Sequence, residues 1–252
     1  VPDKVSNDVV ATGFYLAKLM KKIPVRSGVC DGFIGNRILN KYGDCGYFMM
    51  EDGATPYEID RAIFEFGYPM GPFQMFDLAG GDIGWAMRKR LEPMRDKNER
   101  YVHIPDKLCE KGWFGQKTGR GFYRYDKGNR RGDEDPEVLE IINLERQKKG
   151  IIPIKFSQEE IIRRYMAAMI NEAADVVHEK IALRPSDVDV TKLYGYGFPR
   201  YRGGPMKYAD SYGLDKILDD IREFEKEDSV FWKPSSLIIE LVKKGNNFDS
   251  LN

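Results

Sequence analysis

Apolar residues recur every three or four positions along most of this chain, the spacing of amphipathic helices. From about Gly32 to Glu51 the stripe is Ile34, Ile38, Tyr42, Cys45 and Met49. A second long stripe, over 158–178, runs through Ile162, Met166, Met169, Ala173 and Val176 and is opened by Ser157-Gln158-Glu159-Glu160. Residues 8 to about 21 carry a shorter pattern through Val9, Phe14, Leu16 and Met20. Thr55-Pro56-Tyr57-Glu58 reads as a helix start: Thr55 caps, Pro56 suits the first turn and Glu58 completes a capping box. Ile23-Pro24-Val25 is the one stretch that reads as a strand. Asp126 to Pro136 is rich in glycine and charge and reads as a linker or exposed loop. The pattern predicts a mostly helical chain with two bundles joined by that region.

The two bundles are copies of one unit. Gly71, Pro72, Asp77 and Gly80 recur as Gly204, Pro205, Asp210 and Gly213, all at one offset. With small gaps, Pro56 and Asp60 return as Pro185 and Asp189, Gly67-Tyr68-Pro69 returns as Gly197-Phe198-Pro199, and Arg37 aligns with Arg164. Two copies packed face to face could bury the surface that each alone would expose. The expected architecture is all-α, two tandem helical repeats forming a pseudo-dimer about a pseudo-twofold, packed through the long helices. A face already occupied within the chain cannot pair again, so a monomer is expected.

Composition narrows the function little. Lys plus Arg and Asp plus Glu number 40 each. Net charge therefore points to neither nucleic acid nor an anionic membrane. No apolar run approaches the ~18–20 residues of a membrane span. Cys30, Cys45 and Cys109 are odd in number and widely spaced, which fits buried thiols in a reducing compartment and gives no zinc site. Val1-Pro2-Asp3-Lys4 is neither a signal peptide nor a start methionine, and reads as a chain excised from something longer.

No catalytic centre stands out from the residue types. His103 lies in the polar stretch Tyr101-Val102-His103-Ile104-Pro105, and His178 ends a helix beside Glu179. Neither has the spacing that a metal site or a triad needs. Gly195-Tyr196-Gly197 and Gly119-Arg120-Gly121 begin like a dinucleotide fingerprint but lack its third glycine and follow no hydrophobic strand.

Three ordered segments carry a resemblance: Asp31-Gly32-Phe33-Ile34-Gly35-Asn36-Arg37, Gly67-Tyr68-Pro69-Met70-Gly71-Pro72-Phe73, and Gly115-Gln116-Lys117-Thr118-Gly119-Arg120-Gly121-Phe122-Tyr123. They closely resemble the C-terminal domain of the 3-hydroxyacyl-CoA dehydrogenases. Tyr194-Gly195-Tyr196-Gly197-Phe198-Pro199 with Arg202-Gly203-Gly204-Pro205, and Asp77-Leu78-Ala79-Gly80 through Trp85, narrow the match. They are similar to the tandem region of multifunctional enzymes of the peroxisomal bifunctional type, which join enoyl-CoA hydratase to the dehydrogenase.

The resemblance divides the chain into 1–27, a remnant helix and strand of an NAD-binding Rossmann domain; 28–126, the first helical domain; a linker over 127–156; and 157–252, the second repeat. It implies oxidation of 3-hydroxyacyl-CoA in fatty acid β-oxidation, in the peroxisomal matrix or a bacterial cytoplasm. The glycine-rich NAD loop and a catalytic His–Glu pair would lie in a preceding domain, so the chain alone is expected to be inactive. Asn36 is then the residue whose amide reaches the acyl-CoA near its reacting end, where a non-titrating donor can orient a carbonyl. The alternative for Asn36 is a cap on the first helical turn. The second copy has Arg163 at the aligned position.

Lys117 is implied near NAD as a point charge, or is an ordinary loop lysine. Tyr194 is implied at the substrate, or is an aromatic of the repeat interface. Gly119 and Gly121 suit a tight turn better than a phosphate cradle. Asp77 and Asp210, present in both copies, are expected to be structural. A non-catalytic assembly module and an acyl-CoA-binding module without redox chemistry are the competing readings.

Overall fold

The computed structural model describes residues 1–2, 4–126 and 128–252. Twelve α-helices lie among them: α1 (Asn7–Leu19), α2 (Gly35–Asp52), α3 (Pro56–Phe66), α4 (Pro72–Ala79), α5 (Gly81–Leu91), α6 (Ile104–Glu110), α7 (Pro136–Lys149), α8 (Gln158–His178), α9 (Pro185–Gly195), α10 (Pro205–Tyr212), α11 (Leu214–Glu225) and α12 (Ser236–Lys244). The strands described are the two-residue β1 (Tyr123–Arg124) and β2 (Asp133–Glu134), antiparallel with Tyr123 opposite Glu134. Ile23-Pro24-Val25 is not a strand. It has no neighbour to complete a ladder, Pro24 has no N–H to donate, and the first bridge comes at Ser27 with Ala182.

The chain divides into two compact units, residues 1–42 with 166–252, and residues 43–165. Each takes a part of α2 and a part of α8, so these limits differ from those drawn on the sequence.

Within 43–165, the capping box at Thr55 is present as expected: its hydroxyl accepts from Glu58 N, and the Glu58 carboxylate accepts from Thr55 N. Tyr47, Phe73, Phe76 and Phe122 form an aromatic cluster, with Phe73 edge-on to Phe122 at 4.8 Å. The expected linker contains α7. Asp135 caps it, Pro136 opens it, and Gly150 closes it in the left-handed region. The buried Arg146 of α7 donates to the carbonyls of Met50 (2.6 Å), Glu51 (3.1 Å) and Ala54 (2.9 Å). A cation here satisfies carbonyls left free at the C-terminus of α2.

Within the other unit, α11 buries Leu214, Ile217, Leu218, Ile221 and Phe224, one apolar face at helical spacing. The side chain of Asn171 accepts from Ser235 N and donates to Lys233 O, both at 2.8 Å, and so fixes the approach to α12. No residue of α1 is buried.

The sequence repeat reappears as a repeated set of hydrogen bonds. In α3, the Asp60 carboxylate accepts from Phe73 N and Gln74 N at the start of α4. In α9, Asp189 accepts from Met206 N and Lys207 N at the start of α10. The glycine before each proline makes the approach possible, since a Cβ at Gly71 would lie 2.3 Å from Asp60 and one at Gly204 2.3 Å from Asp189. Asp77 accepts from Phe122 N and Tyr123 N, and Asp210 from Phe248 N and Asp249 N. The second aspartate of each copy therefore anchors a following segment, and the first caps a helix.

Two outcomes follow from these anchors, with Gly13 as a control. Gly71→Ala should destabilise the fold by about 1–3 kcal/mol, the scale of overpacking. Gly13→Ala, where nothing lies within 4 Å, should leave the urea midpoint unchanged or raised. Burial raises the Asp60 carboxyl to about 7 and Asp77 to about 6. Both lie above the unfolded value of roughly 4. Because the folded state holds these protons more tightly, their contribution is full below about pH 4 and is lost as pH rises through 6 to 7. Asp60→Asn, which lacks one of these titrations, should show a shallower fall in unfolding free energy between pH 4 and 7.

Candidate functional site

The segment leading into α2 turns on Gly32, at φ +79°, where a Cβ would meet Arg37 N at 2.5 Å. The Gly32 carbonyl accepts from Asn36 N (3.0 Å) and Arg37 N (3.2 Å). Phe33 follows with φ +50° and an exposed ring, a conformation that costs a non-glycine residue about 1–3 kcal/mol. Arg37 pairs with Glu172 at 2.6 Å and with both oxygens of Glu179, locking the first turn of α2 to α8. Those bonds hold the Glu179 carboxyl below its usual range, chiefly through the hydrogen bond from Arg37.

Asn36 is exposed, and its Oδ1 accepts a 2.7 Å hydrogen bond from the Tyr196 hydroxyl. Its side chain caps no backbone group, because Asn36 is already the second residue of α2. No bond within the described residues uses its Nδ2, so the donor end of the amide is free to meet a ligand. Gly35 makes room for this contact: a Cβ there would sit 2.1 Å from the Tyr196 hydroxyl. The glycine and asparagine of Gly35-Asn36 thus receive one tyrosine from the Tyr-Gly-Tyr-Gly-Phe-Pro segment.

That segment follows α9, and its two tyrosines go to different places. Tyr194 is 58% exposed, with the Arg200 guanidinium 5.1 Å from its ring centre. Among the described residues no hydrogen bond joins it to Asn36. Tyr196 is half-buried, and against its ring lies the Nζ of Lys192, 4.0 Å from the centroid. Lys192 is fully buried and donates to the Tyr42 hydroxyl at 2.9 Å. Burial drives its pKa well below the ordinary lysine value. Sequence reasoning chose Tyr194 and missed both Tyr196 and Lys192. A signal for Lys192 existed: with Pro185 and Val188 it lies at three- and four-residue spacing, on the buried face of α9.

Lys117 belongs to the other unit. It is exposed on a 3₁₀ turn and pairs with Asp82 at the start of α5. That bond, before any other cause, lowers the Asp82 carboxyl. The neighbouring glycines close around Asp77: a Cβ at Gly115 would lie 2.1 Å from its carbonyl oxygen, and one at Gly121 2.1 Å from its carboxylate. They form a turn in which the Gly115 carbonyl accepts from Thr118 N and Arg120 N and the Tyr123 carbonyl from Gly121 N. The exposed Lys117 fits a single charged contact with a dinucleotide such as NAD. His103 precedes α6 and stacks edge-on against Tyr101, while His178 is the last residue of α8. Among the described residues no His/Cys/Asp/Glu group could hold a metal. No described helix is long and apolar enough to cross a membrane.

A family model described as "3-hydroxyacyl-CoA dehydrogenase, C-terminal domain" matches residues 32–125 and again 161–248, one match per repeat. The peroxisomal bifunctional enzyme of Danio rerio is 42% identical over 255 residues, covering 96% of this chain and 36% of that protein. The Homo sapiens protein of the same name is 41% identical over 261 residues, covering 98% and 36%. The chain thus spans about a third of the length of these relatives. The dehydrogenase part of multifunctional enzyme 1 from C. elegans has a similar structure, with a TM-score of 0.71 at 26% identity, covering 94% of this chain and 54% of that one. The 3-hydroxybutyryl-CoA dehydrogenase of Escherichia coli shares the fold, with a TM-score of 0.76 at 20% identity over 97% of this chain and 67% of that one.

Asn36→Ala removes the hydrogen bond from Tyr196 but no cap, so its cost in urea unfolding should match that of Tyr196→Phe, each about 0.5–1.5 kcal/mol. A loss in Asn36→Ala greater than that in Tyr196→Phe by about 1 kcal/mol would return Asn36 to the capping role.

Proposed function

The chain belongs to the 3-hydroxyacyl-CoA dehydrogenase C-terminal domain family, and from that premise we propose that it is the helical, substrate-facing part of an NAD-dependent (S)-3-hydroxyacyl-CoA dehydrogenase of fatty acid β-oxidation. The reading includes a parent polypeptide of the bifunctional kind, working in the peroxisomal matrix. The names of the relatives support the compartment and the bifunctional parent, and their greater length supports a preceding domain in the same polypeptide. One observation carries the local reading: an exposed asparagine in Asp31-Gly32-Phe33-Ile34-Gly35-Asn36-Arg37 whose carbonyl is tied down and whose amide hydrogens are free.

In the reaction proposed, the C3 hydroxyl loses its proton to a base and C3 loses hydride, which leaves a ketone. When bound, NAD supplies the acceptor for that hydride. The Asn36 Nδ2 donates to the oxygen of the substrate near the reacting carbon and holds it in line without titrating. Its place in the first turn of α2 adds the positive end of the helix dipole. Tyr194 offers an exposed ring and a hydroxyl to the acyl-CoA, and Lys117 offers a single cation to the NAD edge. The base and the nucleotide loop are assigned to the preceding domain, because among the described residues no carboxylate hydrogen bond holds either histidine.

In the full-length polypeptide, Asn36→Ala and Asn36→Asp should each lower kcat/KM by about ten- to a thousand-fold, with aspartate the worse because its charge faces developing negative charge. An Asn36→Asp enzyme with full activity would remove Asn36 from the site. The 252-residue chain alone should oxidise no 3-hydroxyacyl-CoA with NAD. By light scattering it should run as a monomer near 29.0 kDa, and a stable species at twice that mass would count against the pseudo-dimer reading.

A further inference from the structure

We propose that Tyr196 is the positioning residue of Asn36, and that the buried Lys192 holds Tyr196 in place for that task. This rests on the reading that Asn36 faces the acyl-CoA, and it adds how the amide is made to face the right way. A side-chain amide has a donor end and an acceptor end of nearly equal size, and on an exposed first turn nothing intrinsic decides which end points outward. Here the Tyr196 hydroxyl donates to Oδ1 at 2.7 Å, which leaves Nδ2 as the outward group. The contact is built into the fold from both sides. Gly35 leaves the gap that the hydroxyl occupies, and the Lys192 carbonyl accepts from Tyr196 N at 3.2 Å and from Phe198 N at 3.1 Å.

Lys192 completes the support. Its Nζ lies 4.4 Å from the ring centre of Tyr42 and 4.0 Å from that of Tyr196, with the Tyr42 hydroxyl as its hydrogen-bond acceptor. The N–H-bearing head is attracted to the Tyr196 ring beside it, while its hydrogen bond to the Tyr42 hydroxyl fixes its position. Among the described residues no carboxylate pairs with Lys192, although it is fully buried. A fully buried amine with no carboxylate beside it is a poor way to stabilise a core, and methionine would fill the same volume at lower desolvation cost. The placement makes sense when the lysine is kept for the ring it holds.

Three variants test this in two settings. In the 252-residue chain, the Asn36 side-chain NH₂ pair is identified by its loss in Asn36→Ala and followed by ¹⁵N-resolved NMR. Tyr196→Phe removes one oxygen and keeps the packing. It should shift the Asn36 pair and lower its heteronuclear NOE, the mark of a freed side chain. Lys192→Met should do the same while leaving the urea midpoint equal to or above that of the parent, a combination that a purely structural lysine would not give. An Asn36 pair unchanged in Tyr196→Phe overturns the proposal, and a pair unchanged in Lys192→Met overturns the part played by Lys192.

In the full-length polypeptide, Tyr196→Phe should reduce kcat about 2- to 10-fold with little change in KM, the scale of one lost hydrogen bond. Unchanged kcat there, with kcat/KM still lost in Asn36→Ala, overturns the proposal and leaves the function standing. Full activity in Asn36→Ala overturns the function instead, and the NMR arm then decides the Tyr196 contact by itself.

Discussion

A carboxylate seated on a helix start, twice over, is the interaction on which both repeats depend. The first N–H groups of a helix have no partner inside it and must find one elsewhere. At α4 and α10, proline in the first turn removes one of those donors, and an aspartate from the preceding helix, buried in the first copy and half-buried in the second, takes two more. The carboxylate can come so close because a glycine precedes each proline, with no side chain to hold it off. The sequence Gly-Pro, read with an aspartate one helix earlier, is thus a complete account of how one helix begins against another. The second aspartate of each copy then organises the backbone that follows. This explains why glycine, proline and aspartate are most of what the two copies still share.

Much of this was legible because burial leaves a period in the sequence. Every residue of the stripe assigned to α2 is buried, as are Met166, Met169, Ala173 and Val176 of α8. The capping box at Thr55 needs only local chemistry and was equally readable. Helix α7 was lost because two of its inward positions, Glu145 and Arg146, are charged, which blurs the apolar stripe. Its Asp135-Pro136 start and Gly150 end were nonetheless visible. The strands β1 and β2 are too short to show any alternation. Ile23-Pro24-Val25 had the composition of a strand, but composition cannot supply a neighbour.

The candidate site was legible only in part, for a different reason. The segment that carries Asn36 could be recognised, and its amide is exposed. The partner of that amide could not be read, since Tyr194 and Tyr196 stand two residues apart beyond the end of a helix, where no periodicity says which turns inward. The choice is made by the absence of a side chain at Gly35, far away in sequence. Lys192 was hidden by its own charge, which on a sequence reads as solvent-facing even at a buried position.

Asp77 and Asp210 have one further consequence. The same anchor carries different loads in the two copies: the turn of Phe122 and Tyr123 with its lysine-bearing approach in one, and the C-terminal turn of Phe248 and Asp249 in the other. Apart from the Tyr125 hydroxyl, which also donates to Asp77, these anchors bind backbone N–H groups, and a backbone group makes the same bond whatever side chain it carries. The repeat can therefore exchange its peripheral segments without disturbing the helices beneath. The segments at the edge of one copy are in this way free to change without constraining those at the edge of the other.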